Sequence, residues 1–349
     1  MRVGQTLAGL LDVTLANGVE LIVAIIALKE CDLQGVQSSL LGSILINLLL
    51  VLGMCFFAGG IRFSGQDFGV EGTQLNTSLL TISSDPDAGH DILKFSHGVA
   101  LILLFVYGSY LFFQLYSHAT LYGGTSDDIR KSTKYAPTEK KNKDGKGDKG
   151  CSGTNLTNTA ISATDAEARA AHEEEEEVEN PQLSLSVAVG LLAVVTVIIA
   201  VTAEWLVESI DGLVEGDKIS KKFIGVVLLP IAGNTAEHVT TVSVSVKDKL
   251  ILSLGRAVGS SIQLALFVIP FITVLGWILG KPLTMLFDPF ESIALFLAVI
   301  TVNYVVQDGK PNWLEGIILM SLYVMLGTIF FFYPGTSDRF INILPKCNP

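Results

Sequence analysis

The sequence predicts an all-α, polytopic transmembrane helical bundle built from two related repeats. Three observations carry that expectation. Half of the 349 residues are hydrophobic and only 16% are charged, with a mean hydropathy of +0.53; soluble domains carry about 25% charged residues. The apolar residues are bunched into runs of roughly 20, the length a helix needs to cross ~30 Å of hydrocarbon. Finally, pairs of unusual polar residues recur at one constant spacing. The apolar runs are continuous rather than alternating. Only helices or closed barrels satisfy every backbone polar group in lipid, so these runs read as helices.

Taken in order, the expected spans lie at roughly 3–28, 36–58, 96–117, 184–208, 223–246, 250–279, 286–306 and 312–333. No cleavable signal peptide is expected: the first apolar run is longer than a signal core and lacks a cationic lead-in beyond Arg2. Residues 68–84 resemble the start of a further span that stops at "SSDPDAGHD". An Asp-Pro-Asp turn does not lie in lipid, so this stretch is not counted as a crossing. The expected organisation is a first repeat over 1–117, a linker over 118–182, a second repeat over 183–334 and a tail over 335–349.

The linker opens with the lysine-rich "KSTKYAPTEKKNKDGKGDKG" and ends with the acidic run "EEEEEVE" at 173–179. Such a composition cannot bury a core, although its second half has good helix formers. The lysines near its start favour the cytoplasmic side. The acidic run accounts for part of the net charge of −11 and reads as a solvated segment, with no nucleic-acid partner implied. Cys31, Cys55, Cys151 and Cys347 are scattered without metal-type spacing, and no disulfide framework is expected. Asn76 and Asn155 match the short glycosylation pattern; the second falls in the linker and is discounted.

The internal repeat is the strongest signal. Asn17 and Asn234 are 217 positions apart, and so are Glu20 and Glu237, Gly42 and Gly259, and Ser43 and Ser260. One offset thus aligns "ANGVELI" with "GNTAEHV" and, further on, "LGSI" with "VGSS". Four matches at constant offset indicate a duplicated pair of helices. Transporters with internal repeats place substrate near the bilayer midplane, where the repeats meet.

A carboxylate at the centre of a membrane helix costs roughly 2.5–3.5 kcal/mol on insertion scales, and an apolar residue fits the helix better. A protonated Glu serving as interhelical glue explains one such residue more readily than two at equivalent places. Residues three apart share a helix face, so each repeat presents a carboxylate beside an amide oxygen. Glu20, Glu237, Asn17 and Asn234 together offer hard oxygen donors suited to Ca²⁺ or a similar cation. Without the cation, two neighbouring carboxylates repel, lose solvation and take up protons. Cation and proton then compete for the same oxygens, which is the minimum physics of a proton-coupled antiporter.

Other residues surround this quartet. Gly42 with Ser43, and Gly259 with Ser260 and Ser261, are expected to let paired helices approach, their hydroxyls adding ligands or hydrogen bonds; small residues do so in any membrane bundle. Gln263 offers a further amide oxygen. His238 points about 100° away from Glu237 on an ideal helix and either relays protons or hydrogen-bonds across the bundle. Glu204 and Glu208, in "AEWLVESID", either guide cations toward the site or simply mark a solvated helix end.

The segments "ANGVELIVAIIAL", "LGSILINLLLVLGMCFFAGG", "GNTAEHV", "AVGSSIQLALFVIPF" and "VNYVVQDGKPNWLEG" resemble the vacuolar calcium/proton exchangers of fungi and plants, within the calcium/cation antiporter superfamily. The resemblance covers nearly all of the membrane part. It implies two five-helix repeats of inverted topology after a leading helix, and a cytoplasmic acidic linker. It implies cation binding at Glu20 and Glu237 assisted by Asn17 and Asn234, with Ca²⁺ and H⁺ as transported ions and no cofactor. It departs from the family in Ala16 and Gly18, which exchange the usual small residues. It departs also in Ile46, where a serine is usual, and in Arg256, where an apolar residue is usual.

The resemblance implies two further helices ahead of Val3 and one between "TQLNTSLLTIS" and "DILKFSHGVA". With eight crossings as counted, three lie between the Glu20 and Glu237 helices, so the two run in the same direction, whereas an inverted repeat needs an even number between them. The sequence as written is therefore read as an incomplete exchanger. The expected function is Ca²⁺/H⁺ exchange across the vacuolar membrane. The alternatives are a non-transporting or regulatory fragment, and an exchanger preferring another divalent cation such as Mn²⁺. No nucleophile–base pair or phosphate-cradling loop suggests an enzyme. Homo-oligomerisation is left open.

Overall fold

The computed structural model describes residues 17–65, 92–114, 133–134, 185–214, 219–247, 250–307, 312–333 and 347. The run at 68–84, the acidic run, Asn76, Asn155 and most of the linker and tail lie outside these residues. The described part is almost entirely helical. Helix α1 covers Gly18–Lys29. Helix α2 joins Leu33–Leu45, a π-helical turn at Ile46–Val51, and Leu52–Arg62. Helices α3 and α4 cover Ile92–Phe112 and Leu185–Val214. Helix α5 joins Lys221–Phe223, a π turn at Ile224–Leu228, and Leu229–Val246. Helix α6 joins Leu250–Gln263, a π turn at Leu264–Val268, and Ile269–Ile278. Helices α7 and α8 cover Pro289–Val306 and Trp313–Phe332. Two short strands, Phe63–Gly65 and Thr133–Lys134, pair antiparallel.

Among the described residues, six stretches are long and apolar enough to cross a membrane: Leu33–Ile61, Leu93–Phe112, Lys221–Val246, Ser253–Ile278, Pro289–Val306 and Trp313–Phe332. A shorter apolar stretch, Ala193–Val207, lies within α4. The chain divides into two compact units, one of residues 1–135 and 199–349 and one of 136–198. Within the second unit the described part is the first half of α4, with Val187, Leu191, Val194 and Val197 exposed.

Local sequence explains where the helices begin and stop. Asp32 caps α2 by accepting from the Gly35 amide, and Asp288 caps α7 by accepting from Phe290, with Pro289 in the first helical position. Asn312 and Glu315 form a reciprocal capping box at the start of α8. The α6 helix ends at Gly280, whose φ of +71° suits a residue without Cβ. The Lys281 amide then reaches back to Gly276 and the Gly280 amide to Trp277, closing the helix end. Helix α1 ends the same way, with Asp32 bonding to Ala27 and Cys31 to Leu28. There the left-handed position is held by Cys31, at φ +60°.

Cys31 is disulfide-bonded to Cys347, contrary to the expectation that the cysteines stay unpaired. Spacing could not reveal this pair, because the two residues are 316 positions apart and meet only after folding. Among the described residues Cys55 is a free, buried cysteine.

Side-chain contacts fix the direction of each helix. At the disulfide end, Lys281 reaches the Lys29 carbonyl and Cys31. Ser220 donates to the Phe330 carbonyl, Ser96 accepts from the Met285 amide, and His97 stacks on Trp277. At the opposite end, Gly60 packs on Trp313, and Gly53 on Gly316. Ser245 donates to the Cys55 carbonyl and Ser253 to that of Thr241. Helices α1 and α6 therefore run toward the disulfide end, and α2 and α5 run away from it. The α1–α2 and α5–α6 pairs are antiparallel copies.

The antiparallel sense agrees with the inverted topology that the resemblance implies, and corrects only the count of eight spans, which left the Glu20 and Glu237 helices parallel. Gly65, after α2, lies at the end opposite the disulfide, whereas α3 starts at the disulfide end. The count of eight spans placed these two positions at the same end. The π turns strengthen the pairing of repeats. Ile46–Val51 and Leu264–Val268 follow the matched Gly-Ser pairs in each copy, and π turns of this kind concentrate at functional sites.

Candidate cation site

The site forms where the inverted helix pairs cross, and the repeated residues meet across the boundary between copies. Asn17 occupies the capping position of α1 but makes no side-chain cap. Its amide is engaged with the other repeat instead. Asn17 Nδ2 donates to Gln263 Oε1 at 2.8 Å and to the Ser260 carbonyl at 3.3 Å, while Ser260 Oγ donates to Asn17 Oδ1 at 2.7 Å. The symmetry-related contact is present too: Asn234 Nδ2 donates to Ser43 Oγ at 3.4 Å. Each repeat's asparagine thus binds the other repeat's serine. A sixth residue, Asn47, joins by donating to Ser260 Oγ at 3.2 Å.

Glu20 sits one turn beyond Asn17 and is buried, at 8% exposure. Neither of its carboxyl oxygens has a hydrogen-bond partner among the described residues. Its electrostatic neighbours are the Glu237 carboxyl and the Asn234 amide, the latter without a hydrogen bond of good geometry. Glu237 is half-buried, and Asn234 and His238 are buried. The four residues singled out by the repeat are therefore brought together. Buried polar atoms are nearly always hydrogen-bonded, and an exception calls for a proton or an ion. Two carboxylates with amide and hydroxyl oxygens around them match hard-cation chemistry. No group of three or more His, Cys, Asp or Glu able to hold a metal occurs among the described residues.

The remaining expected residues divide. Ser43, Ser260, Ser261 and Gln263 are all buried. Ser261 donates to its own helix, at the Ala257 carbonyl, not toward the quartet. Gly42 permits the close approach expected of it: a Cβ there would collide with the backbone of Val226. Gly259 does not, since no described atom lies within 4 Å of such a Cβ. The offset preserves residue identity, but only the first copy uses its glycine for contact with a described element. His238 Nε2 has no hydrogen-bond partner among the described residues. Glu204 is exposed, and the side chain of Glu208 lies outside the described ones. Arg256 is exposed, in keeping with snorkelling.

The sequence reading passed over Asn47, whose signal was its position four residues after Ser43, on the same helix face. It also passed over a buried ionic cluster. Lys222 Nζ lies 2.8 Å from Glu291 Oε1 and 3.1 Å from Ser38 Oγ, and Ser38 Oγ donates to Glu291 Oε1 at 2.6 Å. In the sequence, Lys222 looks like a loop lysine and Glu291 like an acid favoured in a first helical turn.

Membrane-length helices arranged as two antiparallel copies around a shared polar quartet define a polytopic membrane protein of inverted-repeat architecture. The family model for sodium/calcium exchanger proteins matches residues 1–116 and 187–332, and the chain belongs to that family. It is 45% identical over 397 aligned residues to a vacuolar calcium ion transporter of Cryptococcus neoformans var. grubii, covering 97% of this chain and 65% of that one. It is 40% identical over 346 residues to a vacuolar calcium ion transporter of Schizosaccharomyces pombe, covering 95% and 73%. The chain thus spans about two thirds to three quarters of the length of these relatives. Among solved structures, native YfkE is similar with a TM-score of 0.69 at 26% identity, over 94% of this chain and 84% of that chain. The H⁺/Ca²⁺ exchanger CAX shares the fold, at a TM-score of 0.55 and 11% identity, over 90% and 74%.

Proposed function

We propose that the protein exchanges Ca²⁺ for H⁺ across the vacuolar membrane, with Glu20 and Glu237 binding the cation or protons in alternation. The observation that supports this most is the buried Glu20 carboxyl, which faces Glu237 and has no hydrogen-bond partner among the described residues. A bare carboxylate there is costly. One divalent cation neutralises two carboxylates, and so do protons, and each occupant displaces the other. Asn17 and Asn234 supply amide oxygens, held in place by Ser260 and Ser43. The antiparallel repeats support alternating access, since two inverted halves can exchange conformations and so expose a shared site to either side. His238 is the nearest candidate for passing protons to the site, being next to Glu237 in sequence and buried.

The orientation follows from the same reading. Helix α3 leads away from the disulfide end, which places the start of the linker on the opposite side, read here as cytosolic. Glu204 and Glu208 lie in the second half of α4, toward the disulfide end where α5 begins, and are candidates for guiding cations on that side.

The test is calcium uptake by vesicles containing the chain, driven by an acid interior. Uptake that needs both the pH gradient and each of Glu20 and Glu237, assayed as Glu20→Gln and Glu237→Gln, is the expected result. A chain that reaches the membrane but takes up no calcium would instead support the reading of a regulatory or incomplete exchanger. Uptake of Mn²⁺ in preference to Ca²⁺ would keep the mechanism and change the cargo.

A further inference from the structure

The Lys222–Glu291–Ser38 cluster lies apart from the cation quartet. Glu237 follows Lys222 by 15 residues, about 22 Å of helix. The cluster sits at the disulfide end and ties three helices together: Lys222 from the start of α5, Ser38 from α2, and Glu291 from the start of α7. All three residues are buried, Glu291 fully so. Glu291 Oε2 has no hydrogen-bond partner among the described residues. The charged groups around it are few. Asp288, on the same helix, faces Glu291 and accepts from the Tyr333 hydroxyl at 3.1 Å. From the other elements, Lys222 faces it directly, and the neighbouring Lys221 pairs with Asp32 at 3.1 Å. Adjacent lysines at the head of α5 are thus clamped to the first repeat and to α7.

The clamp is one-sided. At the repeat offset, Lys221 and Lys222 correspond to Gly4 and Gln5, Ser38 to Gly255, and Asp32 to Lys249. The duplicated unit carries no equivalent at the other end, so the cluster is not required by the repeat itself. The Cys31–Cys347 disulfide marks its end of the molecule as facing a non-cytosolic compartment, because disulfides persist in oxidising surroundings. In an exchanger as proposed above, that is the acid side.

We propose that Lys222, Glu291 and Ser38 form an ionic latch that closes the disulfide end of the protein, and that a proton reaching Glu291 from that side releases it. The inference rests on the exchanger reading for its place in the transport cycle. The physical driving force is local. A proton on Oε2 cancels the carboxylate charge and leaves the Lys222 ammonium buried without a counter-charge. Breaking a buried pair by removing one partner is strongly unfavourable. The lysine then gains by moving to water, and the head of α5, which carries Asn234 and Glu237, is freed to tilt.

Val226 is one turn beyond Lys222 and 1% exposed, so a cysteine placed there reports opening of the latch. The chain carrying Val226→Cys, Cys55→Ala and Cys151→Ala, in lipid nanodiscs, is treated with a charged methanethiosulfonate reagent at neutral pH. Adding Glu291→Gln, which mimics the protonated acid, is expected to speed labelling by roughly tenfold, equivalent to shifting the closed state by about 1.4 kcal/mol. Lys222→Arg keeps the charge and is expected to keep the protection. Corrected against an exposed control cysteine, the parent rate rises on acidification and the Glu291→Gln rate does not. Should Glu291→Gln fail to fold, the parent and Lys222→Arg chains carry the test, and acidification that leaves the Val226→Cys thiol as protected as at neutral pH overturns the latch. Unchanged labelling in the folded variants, or an identical pH profile, overturns the latch. Calcium exchange is measured separately: latch-dependent labelling without Glu237-dependent exchange refutes the transport reading while the latch stands.

Discussion

Asn17 and Ser260, 243 positions apart, exchange two hydrogen bonds: Ser260 Oγ donates to Asn17 Oδ1 at 2.7 Å, and Asn17 Nδ2 donates to the Ser260 carbonyl at 3.3 Å. The repeat-related pair, Asn234 and Ser43, is also bonded, with the direction reversed: Asn234 Nδ2 donates to Ser43 Oγ, so the proposed ligands of each repeat are oriented by the other. Ser260→Ala leaves Asn17 Oδ1 and Asn47 Nδ2 without this buried partner, a loss of about 1–3 kcal/mol. The expected outcome is weaker apparent calcium affinity, read from uptake against calcium concentration. Ser43→Ala, whose bond is longer, is expected to cost less. Equal and unchanged affinities in both would refute the positioning role.

In the proposed exchange, calcium bound at the quartet stabilises the folded protein by mass action, by about 2.7 kcal/mol at a hundredfold excess over the dissociation constant. Thermal unfolding in detergent is expected to shift upward with calcium and back down with a chelator. In Glu20→Gln and Glu237→Gln the calcium-dependent shift is expected to vanish. A shift that survives both substitutions would place the cation elsewhere.

The proposed mechanism has protons and calcium competing for the same carboxylates, so that acidification favours the protonated site. Apparent calcium affinity, measured by equilibrium binding, is therefore expected to fall as pH falls, and to fall less steeply in Glu237→Gln, where one competing group is gone. An affinity independent of pH would exclude a shared site.

Gly42 and Gly259 are identical in the repeat and unlike in surroundings. Gly42→Ala drives a methyl group into the Val226 backbone and is expected to cost about 1–3 kcal/mol by overpacking. Gly259→Ala meets no described atom within 4 Å and is expected to be tolerated. Thermal stability and surface expression of the two variants distinguish the outcomes.

Non-reducing peptide mapping is expected to recover Cys31 linked to Cys347. Cys31→Ser is expected to lower stability by about 2–4 kcal/mol. Recovery of both thiols free from protein that has passed through the secretory route would remove the ground for orienting that end away from the cytosol.

By itself the sequence determined the membrane class, most of the spans and the residues proposed as the site. Apolar run length answers to bilayer thickness, and a duplicated acid in an apolar helix has no structural reason to persist, so Glu20, Glu237, Asn17 and Asn234 stood out unaided. Tertiary structure decided what depends on chain reversal and long-range contact. The resemblance implied inverted repeats, and the structure decided their antiparallel sense through which helix ends meet, where the span count alone left the Glu20 and Glu237 helices parallel. The Cys31–Cys347 pair, the latch at Lys222 and Glu291, and the unequal use of Gly42 and Gly259 were hidden for one reason. Composition and spacing describe a residue's own helix, whereas burial, pairing and close approach are properties of the helix packed against it.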